Sequence, residues 1–447
     1  MSDVPALTED ARTQERTERA LIRSASTGTA IGMTVMGSIP ALFLLKGLDA
    51  RPFYIGLLST LCAISPVGML LGTVLVPRVG KARLMIIGRF ACLVPAAAMI
   101  LLAALGRRGE VIIWLAILST SLLALVNNIC ATGWWPLLQD NVAEGSMGTF
   151  FARMRTRLRT VEIGIPLVMG FILGEKPTME RFLVPFGLGV VALMVGAAVL
   201  RGLPERLVPA PEAGLLLRLR LAGRSRHVRS YMFFVMVLSL VSSLFGPFWM
   251  VLLTSSPGNP FPGLPAGFVV WLGTCAAVGH LIGLKSWARM VDRHGGRPVS
   301  SFCLIFCAVL GLAWLLLPAA TVWLYVWSIA FFFIWGVADG GALMGRTWSM
   351  LRSVPLVYQS DSFTLVQLAG AAGSAVGAMA GGSIFDALTQ AAQGGWSIFG
   401  MDPRAIFLCA AQVALLTAYL ASRRLIGYEE QTPTRAILRQ AWERMVE

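Results

Sequence analysis

An all-α integral membrane protein is what this sequence predicts, with about twelve transmembrane helices arranged as two pseudo-symmetric six-helix bundles. Three observations predict it. First, 56% of the 447 residues are hydrophobic, only 13% are charged, and the mean hydropathy is +0.72. A water-soluble globule has no surface on which to place such a composition. Second, the apolar residues fall in runs most of which are long enough, or nearly so, at 1.5 Å per residue, to cross a hydrocarbon core about 30 Å thick. They are Thr27 to Leu45, Phe53 to Val76, Leu84 to Leu105, Val111 to Trp134, Thr160 to Leu173 and Phe182 to Leu200, then Tyr231 to Leu253, Phe268 to Leu284, Phe302 to Leu317, Trp323 to Leu343, Phe363 to Phe385 and Ala405 to Leu420. Third, the two sets of six match at a nearly constant offset. Gly80 corresponds to Gly295, 215 residues on; Trp135 to Trp348, 213 on; Phe151 to Phe363, 212 on; and Asn127 falls within a residue of Asp339. A duplicated helical bundle is expected to leave such a trace.

The elements follow in order. Residues 1–26 form an N-terminal tail with no apolar core or cleavage site of a signal peptide. Residues 27–202 form the first bundle and 203–229 a linker. The linker opens with Pro204, Pro209 and Pro211 and continues as a basic, amphipathic Leu/Arg segment suited to a membrane surface. Residues 230–422 form the second bundle and 423–447 a C-terminal tail. The fifth run, at Thr160, is short. Glu162 three residues after Arg159 offers a local ion pair that makes its inner end tolerable.

The charge of +14 does not mean nucleic acid. Of the 37 Lys and Arg, 29 lie in the tails and the alternate loops on one side, seven lie on the other, and Arg89 sits inside the third run. The positive-inside rule then puts both termini in the cytoplasm and makes anionic lipid the polyelectrolyte partner. Arg89 is two turns from a basic loop and reads as a snorkelling side chain. Seven cysteines lie inside apolar runs and read as small core residues; Cys303 and Cys307, at i and i+4, lack the histidines of a metal site. No phosphate-binding Gly-x-x-x-x-Gly-Lys-Ser/Thr loop is present, so ATP is not the expected energy source, and no catalytic cluster, cofactor or metal site is expected.

Two polar loops carry a resemblance. After run eight the sequence reads Ala288, Arg289, Met290, Val291, Asp292, Arg293, His294, Gly295, Gly296, Arg297, Pro298; after run two, Arg78, Gly80 and Lys81 remain, with Thr73 and Pro77 in place of glycine and aspartate. This resembles the hallmark loop of the major facilitator superfamily, Gly-x-Leu-Ala-Asp-Arg-x-Gly-Arg-Arg. The stretch Trp135 to Arg157, with Asp140, Asn141, Phe150, Phe151 and Arg153, is similar to the loop after the fourth helix of bacterial members. The resemblance covers essentially the whole chain. It implies a secondary active transporter in the bacterial inner membrane that works by alternating access, driven by a proton or solute gradient, not an enzyme. Its partners would be a small solute and membrane lipid, and it would act as a monomer. The alternative is an assembly or scaffold factor on the same fold, like relatives that resemble light-harvesting assembly factors; the degraded first loop motivates it.

The resemblance also assigns a cytoplasmic gate: Asp292, Arg293, Gly295 and Arg297 in the second half, Arg78, Gly80, Asp140, Arg153 and Arg157 in the first. Aspartate at a helix end can hold neighbouring arginines, and glycine permits the turn. Asp292 is expected to pair with Arg293 and Arg297, and Asp140 with Arg153 or Arg157. Polar groups at bilayer depth cost roughly 2.5–3.5 kcal/mol per charge on insertion scales and so mark candidate substrate or coupling residues. Those are Asp339, one turn from the inner end of run ten, Trp335 one turn deeper, Asn127 and Asn128 in the matching place of run four, His280 in run eight and Gln367 in run eleven. Gly373, Gly377 and Gly381, every fourth residue of run eleven, make a bare stripe for close helix packing, and Gly28 and Gly32 do so in run one.

Overall fold

The computed structural model describes residues 9–142, 147–175, 177–205, 214–254, 263–316, 321–353, 359–398 and 401–423. Eleven of its helical segments are long and apolar enough to cross a membrane. In chain order they are α1 (Gln14–Gly47), α2 (Pro52–Val79), α3 (Lys81–Leu105), α4 (Glu110–Leu138), α6 (Met179–Leu200), α7 (Arg226–Leu253), α8 (Ala266–His294), α9 (Gly296–Leu316), α10 (Val322–Met350), α11 (Asp361–Gln393) and α12 (Pro403–Ser422). Between α4 and α6 runs α5 (Met147–Leu173). Its apolar half is the short fifth run. The helix does not stop at Thr160 but continues toward the N-terminus through Arg159, Arg157, Arg155 and Arg153, which is why length and apolarity together count eleven rather than about twelve. Twenty-seven residues rise about 40 Å, ample for a span with its arginine-rich end in the headgroup region. The linker segment forms a short helix, Leu215–Arg224, and the N-terminal tail is already helical from Glu9.

The apolar face of the bundle points outward. Val94, Val111, Phe171, Leu316 and Val322 are all more than two-thirds exposed, as lipid-facing side chains should be. Among the described residues, every regular element is helical, and the extended pairing is one isolated bridge between Ile398 and Met401.

Packing repeats between the halves. In the first, α1 packs on α5 and α6, α3 on α4 and α6, and α2 on α4. In the second, α7 packs on α11 and α12, α9 on α10 and α12, and α8 on α10. Adding six to each label of the first set gives the second. The halves meet through two interfaces that the same operation interchanges, α2 against α11 and α5 against α8.

Glycines set how close these helices come. A Cβ at Gly377 would meet the Leu240 carbonyl, one at Gly373 the Met236 carbonyl, and one at Gly381 would lie 2.6 Å from the Leu244 carbonyl, so the stripe of α11 is its seat on α7. Gly28 differs from that expectation. It faces the Arg89 guanidinium, which a Cβ would approach to 3.4 Å, and Gly32 faces open space. These two open room inside the first bundle rather than closing a helix pair.

Candidate functional site

The hallmark loops are built alike in both halves. Gly80 (φ +96°) and Gly295 (φ +82°) each end one helix and begin the next, and their amides donate to Val76 O at 3.0 Å and Val291 O at 2.8 Å. A positive φ of this size is open to glycine and strained for other residues. The first copy lacks the aspartate, and a carboxylate reaches the same turn from elsewhere: Glu205, just past α6, accepts from the Ala82 amide at 2.7 Å, at the N-terminus of α3. In the second half the corresponding turn is tied to the end of α12, where Arg297 donates to Arg423 O at 2.8 Å. Both loops are thus fastened to the last helix of their own bundle.

The gate residues are dispersed. Asp140 pairs with Lys81 at 2.6 Å, both side chains nearly buried, which joins the end of α4 to the start of α3. Arg153 lies 3.7 Å from Glu18, and Arg153 and Arg157 line a groove between α1, α5 and α6 with Glu15, Arg19 and Arg23. Arg78, Asp292 and Arg293 are exposed, and Asp292 forms no ion pair among the described residues. A well-formed clamp lies where sequence reasoning did not look. Arg218 of the linker helix donates to both carboxylate oxygens of Asp361 at the start of α11, at 2.5 and 3.1 Å. A part-buried bidentate pair of this kind fixes geometry as well as charge.

The central candidates separate into two places. His280 is 5% exposed, and its Nε2 accepts from the Arg159 guanidinium at 2.8 Å. Arginine has no acceptor, so this bond assigns the ring proton to Nδ1. Arg159 also pairs with Glu162. The His280 ring lies against Gly340, where a Cβ would sit 2.9 Å from the ring, and Asp339 is the next residue. Asp339 has no hydrogen bond or ion pair of its own among the described residues; the cations whose charge reaches it are Arg346, two turns along α10, and Arg159 across the interface. Because α10 continues past the apolar run to Met350, Asp339 lies about 16 Å from that end, deeper than one turn. The cluster therefore straddles the α5–α8 interface and the face of α10. Trp335 belongs to an aromatic group with Phe332 (6.2 Å between centroids), which in turn meets Trp249.

Asn127, Asn128 and Gln367 line a separate cavity of about 450 Å³, bounded by α1 to α5 and closed over by Phe363 and Gln367 of α11. Arg89, absent from the sequence-derived candidates, is in its wall. Its Nη1 donates to Asn127 Oδ1 at 3.3 Å. Asn128 is engaged structurally, donating to Ser65 Oγ at 2.7 Å and to Ala124 O at 3.0 Å. Trp135 meets Phe363 edge-on at 5.8 Å, a contact between halves on the basic side.

The opposite side is sealed. A Cβ on Gly56 of α2 would lie 2.7 Å from the Gly382 Cα of α11, and the Gly267 amide of α8 donates to Gly174 O at 2.7 Å. Trp271 Nε1 donates to Leu167 O at 2.9 Å, and Lys46 at the end of α1 reaches the Thr254 carbonyl at the end of α7.

No family model matches the chain, and no curated protein matches it in sequence. Solved structures do match in shape. A variant of the nucleoside transporter NupG superposes with a TM-score of 0.67 over 92% of this chain and 100% of that one, at 11% identity. A variant of the peptide transporter POT gives 0.63 over 94% and 97% at 15% identity, and a bacterial homologue of the iron transporter ferroportin in an inward-facing state gives 0.61 over 92% and 98% at 16%. At such identities the likeness is one of fold. The chain is a multi-pass membrane protein with the fold of major facilitator superfamily transporters.

Proposed function

We propose that this protein is a secondary transporter that moves a small solute by alternating access, with its basic side in the cytoplasm. The observation that carries the reading is the pair of interchangeable interfaces between halves, α2–α11 and α5–α8, drawn together by glycines on the far side while a cavity persists toward the basic side. Two rigid bundles meeting along a pseudo-twofold axis can rock, closing one side as the other opens. The fold neighbours, a nucleoside transporter, a peptide transporter and a bacterial homologue of an iron transporter, support the class of activity.

The cluster of Glu162, Arg159, His280 and Asp339 supports proton coupling. Two carboxylates share the charge of Arg159 at an interface that must shear during rocking, and only Glu162 is paired in this conformation. A proton on Asp339 removes its claim on the arginine, and its loss restores it, which links protonation to the relative position of α5 and α10. Uptake into sealed vesicles under an imposed pH gradient, compared with Asp339→Asn, tests this. We expect uptake to lose its dependence on the gradient; an unchanged dependence removes Asp339 from the mechanism. The assembly-factor alternative rests on the degraded first loop and on sparse buried charge; at that loop Glu205 supplies a carboxylate to the turn where Pro77 replaces aspartate.

A further inference from the structure

Among the described residues, the cavity in the first bundle has one charged residue in its wall. Serine, threonine, asparagine, glutamine, methionine and aromatic residues make up much of the rest, and Arg89 alone carries charge. Several largely buried cations among the described residues have acidic partners: Lys81 has Asp140, Arg159 has Glu162, Arg218 has Asp361 and Arg404 has Asp402, whereas Lys46 donates to the Thr254 carbonyl and Arg155 to the Met344 sulfur. Arg89 has no carboxylate within ion-pair distance among the described residues, and its hydrogen-bond partner is the neutral amide of Asn127. Its own helix, Lys81–Leu105, contains no acidic residue, so no local partner is available in another rotamer.

The surroundings keep this guanidinium in place rather than letting it reach the headgroups. Gly28 of α1 lies against its Nη2, where a Cβ would make van der Waals contact at 3.4 Å, and Gly196 of α6, seated tightly on Thr27, lies near its Nε, where a Cβ would sit at 3.5 Å. Ser24, 1% exposed, also borders the cavity, and its hydroxyl has no hydrogen-bond partner among the described residues. An unpaired cation and an orphan hydroxyl are each costly at this depth. A ligand whose anion meets the guanidinium removes the larger of these costs.

The geometry points to an organic monocarboxylate as the substrate class, its carboxylate on Arg89 and its apolar body against Trp134, Trp135, Met154 and Phe363. This rests on the transport reading above and names the solute for it. The planar guanidinium fork matches a carboxylate in a bidentate arrangement. Charge balance selects a monoanion: one arginine neutralises one carboxylate, whereas a phosphate dianion would leave a net negative charge in a wall with no second cation among the described residues. The volume, about 450 Å³, lies in the range of pockets that enclose small organic molecules.

The test uses the full-length purified protein and thermal melting in the presence of aromatic and aliphatic monocarboxylates, each beside its neutral primary amide, with phosphatidylglycerol-containing micelles as a separate arm. A ligand that binds the folded form raises the melting temperature. Acids are expected to raise it and their amides not, and Arg89→Gln is expected to weaken binding by about tenfold or more, as for loss of a charge-assisted bond. Should Arg89→Gln fail to fold, Asn127→Asp carries the test. It sets an internal carboxylate beside Arg89, so it should raise the melting temperature of the empty protein and abolish the shift caused by acids. Amides as effective as acids, an acid-induced shift that survives Asn127→Asp, or stabilisation by phosphatidylglycerol alone would each overturn the assignment. Binding of acids without any vesicle uptake would uphold the site and sink the transport reading; uptake of a neutral solute that is indifferent to Arg89→Gln would do the reverse.

Discussion

Gly377 has no side chain because the Leu240 carbonyl of α7 occupies the space where one would begin. Gly377→Val should therefore force α7 and α11 apart and cost about 1–3 kcal/mol, the usual range for overpacking a tight contact. The readout is the melting temperature of the purified protein, and a variant as stable as wild type would show that the stripe is not a packing seat. Gly32, which faces open space on the same periodic logic, should tolerate alanine with little change. The contrast shows what single positions reveal in a sequence. The spacing of Gly373, Gly377 and Gly381 correctly marked a helix contact, because a stripe of one period on one helix needs only a neighbour. Gly28 and Gly32 have the same spacing and a different use, since Gly28 faces Arg89 of α3, about 60 residues away in the chain, and Gly32 faces open space. Arg89 was hidden for a related reason. Its distance from the basic loop fits a snorkelling side chain equally well, and only the packing of α1, α4 and α6 around it reveals that it stays inside. The available hint was an absence, the lack of any Asp or Glu between Lys81 and Leu105.

Helix ends carry the next level of specification. The start of α3 has Lys81 beside its free amides, an unfavourable sign at the positive end of a helix dipole, and two carboxylates answer it: Asp140 takes the Lys81 ammonium and Glu205 takes the Ala82 amide. Glu205→Gln should cost roughly 0.5–2 kcal/mol, the scale of a lost helix cap, and should loosen the α2–α3 turn. Hydrogen exchange of the amides at 80–84 would then quicken while the middle of α3 stays protected; uniform protection would show that Glu205 is dispensable. The linker clamp makes a parallel case. Asp361→Asn removes the charge that holds Arg218 and should free Leu215–Arg224 from α11, seen as faster proteolysis at the linker with the bundles intact. Element existence was legible throughout because apolar runs of membrane length have few other uses. Element ends were not. Apolarity stops where lipid stops, but α5 and α10 continue for several turns into the headgroup region, so α5 looked short and Asp339 looked shallow. The clamp itself joins residues 143 positions apart, each of which reads alone as a solvated charge.

At the scale of the molecule the two far-side contacts are copies of each other. Gly170 stands 212 residues before Gly382, the offset that relates Phe151 to Phe363, and Gly56 stands 211 before Gly267, within one residue of it. Gly56 meets Gly382 across α2–α11, and Gly170 meets Gly267 across α5–α8, so the duplication converts one contact into the other. Neither position is required by the fold of its own half, because each lies where two bundles touch. A bulky residue there penalises only the state in which the far side is shut. Gly382→Val should thus leave both bundles folded but raise the free energy of the closed state by about 1–3 kcal/mol, which shifts the balance between the two states about 5- to 150-fold. Vesicle uptake should fall accordingly, and reagents applied from the far side should gain access to the Trp134 and Trp135 region that is now screened from it. Adding Gly170→Val should deepen the loss, since both contacts bear on one equilibrium and their effects on it sum. If the single and double variants transport like wild type and admit no reagent, the seal is a passive contact and rocking about the α2–α11 and α5–α8 axis is not how this protein moves its solute.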